Sequence, residues 1–319
     1  MKIFSIADQH VPVDKKNIAR EWFVEGCRHD SLESDTDQAI EAYRKSIQFD
    51  KKSTDAYVNL GFIYLKREKY DDALKYFEKV AELEPNSPET YNNLGYVYER
   101  MGRIGSAKQV YNQVLEIDPG NIEAMLNIAQ VLELEGNYHG AIQQYRKTIE
   151  TDPHAAASHF CLAVLYDKHD MFDEAIQEYQ NVLGKNPDYF KALFNLGNLY
   201  VQLGDYSKAI IYFERALQLE PDNAEAWNDL GSMYEETRVY DKAVAAFERA
   251  ISLNPLQEEA HVNLARLQCL EYYSNPDSSK KEEIARRLDF ILSVNPHNKK
   301  GQKLLEELTG TRCVVPLSV

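Results

Sequence analysis

No apolar run in the chain approaches the roughly 20 consecutive residues that carry a helix across a bilayer, so membrane insertion is not expected. The amino terminus offers one lysine and a short apolar patch that Asp8 interrupts, too little for the apolar core of a secretory signal. Cysteine is scarce: Cys27, Cys161, Cys269 and Cys313 stand far apart, in neither a disulfide framework nor a zinc-ligand spacing. A reducing, cytoplasmic setting is the expectation that follows. Basic residues are few, 36 against 51 acidic, and the formal charge of -15 repels phosphate backbones. That argues against nucleic acid and for basic partners. Catalytic signatures are missing too: there is no HExxH, phosphate-cradling glycine loop or nucleophile elbow. His154, His159 and His169 are spaced by five and ten residues, which does not align metal ligands on one helix face. No catalytic residue, metal or cofactor is expected, and the chain is read as not being an enzyme.

What the chain does have is a period. A small residue follows an Asn-Leu-like pair at Gly61, Gly95, Ala129, Ala163, Gly197, Gly231 and Ala265, each 34 residues after the last. Twelve residues beyond the first six stand Ala73, Ala107, Ala141, Ala175, Ala209 and Ala243; twelve further stand Pro85, Pro119, Pro153, Pro187, Pro221 and Pro255. Small residues on two successive helices let them approach closely, and proline, which cannot donate the next helical hydrogen bond, ends the second helix. Gly102, Gly136 and Gly204 punctuate the turn within some units. Between these marks the apolar spacing is helical, as in Ala73, Phe77, Val80 and Leu83. A single helix pair cannot cover such a face, so neighbouring pairs must stack.

The unit that carries Trp227-Asn-Asp-Leu-Gly231, Tyr234, Ala243, Phe247, Ala250 and Pro255 resembles the full tetratricopeptide-repeat signature. The resemblance covers about residues 17–308. A degenerate first unit has Trp22, Gly26, Ala39 and Tyr43, set 35 residues before Gly61 by one inserted residue. In the last unit the second helix resumes near Ile284, Leu288 and Ile291 after a loop at 275–279, and Pro296 closes it late. The resemblance implies an all-α, right-handed α-solenoid of about eight helix pairs plus a C-terminal capping helix. Its expected organisation is an extended arm over 1–16, then a solenoid over 17–310 and a short apolar tail over 311–319. Repeats are expected to start near 17, 54, 88, 122, 156, 190, 224 and 258, with a cap at 298–309.

Thirteen tyrosines, among them Tyr43, Tyr111, Tyr145, Tyr179, Tyr138 and Tyr240, fall at recurrent positions and read as core packing. The face of each first helix turned away from its partner is different, and in this family that stripe lines a groove. Its sixth position holds Asn59, Asn93, Asn127, Cys161, Asn195, Asp229 and Asn263, with Asn198 one turn beyond Asn195. An amide donates and accepts at once, so such a ladder suits an extended peptide backbone. The arrangement is similar to the asparagine ladder in the repeat domain of O-linked N-acetylglucosamine transferase, interrupted here by Cys161 and Asp229; the alternative is that asparagine simply suits this position.

Apolar groups stand between the amides, including Phe62, Tyr96, Phe160 and Phe194, either as partner anchors or as packing between adjacent first helices. The stripe carries eleven acids against five bases, a net of -6, with Glu99, Glu133, Asp167 and Glu235 on its acidic side. It therefore favours a basic or apolar protein segment, unless it is an ordinary solvated face. The function expected is a non-catalytic scaffold or adaptor that holds a partner peptide or helix in the groove. Two alternatives remain open: a regulatory or substrate-selecting subunit of an enzyme such as a glycosyltransferase, and a self-assembling homo-oligomer.

Overall fold

A computed structural model describes residues 14–32 and 36–310, and among them there are seventeen α-helices and no strand. The chain divides into two compact units, one ending at Pro153 and the other beginning at His154. The first unit holds α1 (Lys15–Asp30), α2 (Thr36–Phe49), α3 (Thr54–Lys66), α4 (Tyr70–Leu83), α5 (Pro88–Arg100), α6 (Ile104–Ile117), α7 (Ile122–Leu134) and α8 (Tyr138–Thr151). The second holds α9 (Ala156–Lys168), α10 (Phe172–Lys185), α11 (Phe190–Gln202), α12 (Tyr206–Leu219), α13 (Ala224–Glu236), α14 (Tyr240–Leu253), α15 (Glu258–Ser274), α16 (Ser278–Val294) and α17 (Lys299–Thr309). The expected tail over 311–319 lies outside the described residues, as does most of the expected arm. Lys15 and Lys16 belong to α1, because the Asp14 carboxylate accepts from the free backbone N–H groups of Lys16 and Asn17.

Within each unit an odd-numbered helix packs on the helix that follows it, and that second helix packs in turn on the next pair. Small residues make the first contact possible. The apposed rings are fully buried: Phe77 beside Gly61, Phe213 beside Gly197 and Phe247 beside Gly231. Side-chain caps recur at the starts of first helices, where Ser87, Asn121, Asn223 and Asn298 each accept from a backbone N–H three residues on. A second latch joins four of the proline turns to the helix that follows. Donors six residues beyond the proline reach its carbonyl: Tyr91 to Pro85 at 3.1 Å, Trp227 to Pro221 at 2.9 Å and Gln302 to Pro296 at 2.6 Å. His261 makes the same contact with Pro255 at 3.0 Å, and burial holds its imidazole below the ordinary value. The position shared by these side chains is thus a packing position with a polar duty.

The turn inside six of the helix pairs has a fixed backbone. Glu68, Gly102, Gly136, Asp170, Gly204 and Arg238, each 34 residues after the last, all have positive φ between 56° and 74°. A residue with a Cβ spends about 1–2 kcal/mol in that region, part of which glycine loses again to unfolded-chain entropy. Arg238→Gly is therefore expected to stabilise the second unit by about 0.5–1 kcal/mol, read as a rise of a few degrees in its thermal midpoint. An unchanged or lowered midpoint would count against a strained turn.

Candidate functional site

Every candidate residue lies on a first helix. In the first unit Asn59 and Phe62 are on α3, Asn93, Tyr96 and Glu99 on α5, and Asn127 and Glu133 on α7. In the second, Phe160 and Asp167 are on α9, Phe194, Asn195 and Asn198 on α11, Glu235 on α13 and Asn263 on α15. Consecutive first helices meet directly, α5 with α7 and α13 with α15, so the stripes of neighbouring pairs lie side by side.

In the first unit this face is partly open. Phe62 is 39% exposed while its ring edge rests on Phe77 at 5.3 Å, and Tyr96 is 45% exposed. Asn93 and Asn127 are half-buried and form no hydrogen bond among the described residues. Asn59 differs: its Nδ2 donates to the Tyr43 hydroxyl at 2.9 Å. Asn92, beside Asn93, ties α5 to α7 by donating to Glu123 at 3.0 Å.

In the second unit the aromatic candidates sit in clusters. Phe160 lies 6.1 Å from the Tyr179 ring and 5.3 Å from Tyr189, and Phe194 stacks on Phe190 at 5.9 Å and meets Phe213 edge-on at 5.6 Å. Both are half-buried. Asn195 donates to the Tyr179 hydroxyl at 3.2 Å, as Asn59 does to Tyr43. Asn263 is not an open rung. It is 8% exposed and belongs to a chain in which Arg266 donates to Asn263, Asn263 to Asn228 at 3.2 Å, and Asn228 to Asp229 at 3.4 Å.

The acidic candidates are committed inside the protein. Tyr145 donates to Glu133 at 2.6 Å and Tyr179 to Asp167 at 3.5 Å, the outer edge of hydrogen-bond range, whereas Glu99, beside Tyr111, keeps a buried Oε1 without a hydrogen bond. Burial pushes the Glu99 and Asp167 carboxyls above their ordinary values, with the neighbouring tyrosine hydroxyls opposing it. It likewise pushes the Tyr111 and Tyr179 hydroxyls up, so they stay protonated donors. Glu235 faces phenylalanine at the corresponding place and takes a bidentate bond from Arg266 instead; burial still raises its carboxyl more than the guanidinium lowers it.

A register rule connects these facts, and it was legible in the sequence though easily overlooked. In three pairs whose second-helix ring is tyrosine, the residue twelve earlier is an acid: Glu99 for Tyr111, Glu133 for Tyr145 and Asp167 for Tyr179. Opposite phenylalanine it is Leu65 for Phe77 and Val201 for Phe213, while Glu235 before Phe247 and Ser31 before Tyr43 depart from the pattern. A buried hydroxyl needs an acceptor, and at Tyr145 and Tyr179 the acid supplies it. The reading of all thirteen tyrosines as core is corrected at two of them. Tyr138 and Tyr240, which open α8 and α14, are 45% and 48% exposed, whereas Tyr70 at the same place in α4 is half-buried with Arg100 against its ring.

Among the described residues no group of three His, Cys, Asp or Glu side chains could hold a metal, and no helix is long and apolar enough to cross a membrane. Stacked helix pairs with a shared 34-residue punctuation define a helical-repeat protein. Sequence profiles described as tetratricopeptide repeat match residues 53–120, 98–160, 162–224 and 194–258, and a further TPR-repeat profile matches 33–67. The chain belongs to the tetratricopeptide-repeat family. Among solved structures, the C-terminal part of a TPR repeat-containing protein from Cytophaga hutchinsonii is 19% identical with a TM-score of 0.63, over 78% of this chain and 99% of that one. PilF of Pseudomonas aeruginosa is 20% identical with a TM-score of 0.57, over 69% and 97%. A MamA protein is 26% identical with a TM-score of 0.47, over 53% and 92%. No curated protein gives a significant match.

Proposed function

We propose that the chain is a non-catalytic cytoplasmic scaffold that captures an extended or helical segment of a partner protein against its first-helix faces. One observation carries this reading: in the first unit, unbonded amides at Asn93 and Asn127 stand on the same stripe as the exposed rings of Phe62 and Tyr96. Amides without internal partners hold backbone polar groups, and rings in shallow contact supply buried area once a segment covers them. Since Glu133, Asp167 and Glu235 are already bonded and Glu99 is half-buried, attraction for a basic segment falls to exposed acids such as Asp55, Glu89, Glu225 and Glu259. Apolar and hydrogen-bonding complementarity then outweighs charge in choosing the partner.

The test is an array of acetylated, amidated dodecapeptides of random sequence, probed with the full chain and then with Asn93→Ala/Asn127→Ala. At about 1 kcal/mol per lost bond, the double variant is expected to weaken the best peptides about 10-fold or more. No internal bond is lost, so melting should hold within about 0.5 kcal/mol. Equal binding by variant and wild type would remove these asparagines from the reading.

A further inference from the structure

The inner-face amides are not symmetric donors and acceptors, because some are oriented from beneath. Consider Asp167, Tyr179 and Asn195, all in the second unit. A carboxylate only accepts, so the Tyr179 hydroxyl, bonded to Asp167, spends its one proton there. Its oxygen can then only accept from Asn195. With that bond in place, the Nδ2 end of Asn195 faces the tyrosine, at 3.2 Å. The Asn195 carbonyl makes no bond among the described residues and is not enclosed. We infer that Asn195 is an acceptor rung, recognising N–H donors of the bound segment, with Asp167 and Tyr179 as the positioning residues that fix its polarity. Asn59 over Tyr43 has the same donor-to-hydroxyl geometry, with the Cys27 sulfur at 3.5 Å taking the place of the acid.

The consequence is chemical selectivity at one point on the face. A rung free to turn, as at Asn93 and Asn127, meets a backbone carbonyl or N–H equally well. A rung pinned through its NH2 offers its carbonyl first, to a backbone N–H or to a lysine, arginine or amide donor. The polarity extends what the proposed function requires of the partner and rests on that reading, but it can be tested apart from it.

Two measurements on the full chain do so. In the first, the Asn195 side-chain amide protons are followed by nitrogen-15 NMR and identified by their loss in Asn195→Asp. Tyr179→Phe should fold, since phenylalanine fills this position at 77, 213 and 247. It is expected to shift those protons and speed their exchange with water. In the second, the tightest dodecapeptide from the array is remade with each backbone amide in turn replaced by an ester, which removes one N–H donor. One ester is expected to weaken wild-type binding about 5- to 10-fold, and that penalty should vanish in Asn195→Ala and shrink in Tyr179→Phe. Amide protons that do not respond to Tyr179→Phe overturn the pinned rung. A parent peptide that binds with no Asn195-dependent ester penalty overturns the acceptor role. If no dodecapeptide binds at all, the proposed function fails, while the NMR result still decides the polarity.

Discussion

Gly61→Leu is expected to destabilise the first unit by about 3 kcal/mol, a large share of the net stability of an ordinary domain. A Cβ on Gly61 would stand 2.7–2.9 Å from three atoms of the Phe77 ring, which is itself fully buried. The ring cannot retreat, because Phe62 lies against it at 5.3 Å and the neighbouring core is close-packed. Gly61→Ala is the informative control. Alanine occupies the same repeat position at Ala129 and Ala163, opposite the larger rings of Tyr145 and Tyr179, and both are fully buried. A helix pair can thus open by one methyl. The strain of opening is offset by about 1 kcal/mol of helix propensity gained over glycine. Denaturant unfolding of the two variants should separate them by more than about 2 kcal/mol; equal midpoints would mean that close approach of helix to ring is not what selects the small residue.

That position explains why the fold was easy to read. Seven small residues at constant spacing report a steric requirement that recurs identically in every pair, and the proline that follows reports a backbone requirement; each constraint leaves a residue type at a fixed place. Asn263 shows the opposite case. Its residue type matches the other rungs, but its burial depends on Asn228 and Arg266, which have no counterpart in most repeats, so the type alone cannot reveal it. The acids are intermediate: Glu99, Glu133 and Asp167 look like surface charge until each is set against the tyrosine twelve residues on. Counted without that pairing they suggest an acidic channel; counted with it, Glu133 and Asp167 are acceptors for buried hydroxyls and Glu99 is half-buried beside Tyr111. Tyr138 and Tyr240 are exposed although their repeat position is recurrently aromatic, because burial there depends on a covering side chain such as the Arg100 that lies over Tyr70, and the residue type alone does not report it.

Asp229 yields the sharpest dependence on pH. Five of the seven rungs are asparagine; here a carboxylate takes the place, and burial, with repulsion from Glu225 and Glu259 partly countered by the Asn228 bond, pushes it up to about 6 from an ordinary 3.8. A shift of that size corresponds to about 3 kcal/mol, discounted to about 1–3 because the side chain is not wholly enclosed. The sign follows from which state holds the proton. Between pH 4 and 6 the folded chain keeps it on Asp229 while the unfolded chain has released it, so this group's contribution is fully favourable below pH 4 and is lost as pH rises through 6. Asp229→Asn removes the titration and keeps an acceptor for Asn228. The variant should match wild type near pH 4 and exceed it by about 1–3 kcal/mol at pH 7, with the difference opening between those limits. Thermal melts of both proteins at pH 4, 5, 6 and 7 would show it; a difference that stays constant across that range would mean that Asp229 is charged in the folded state throughout and that its burial carries no electrostatic cost.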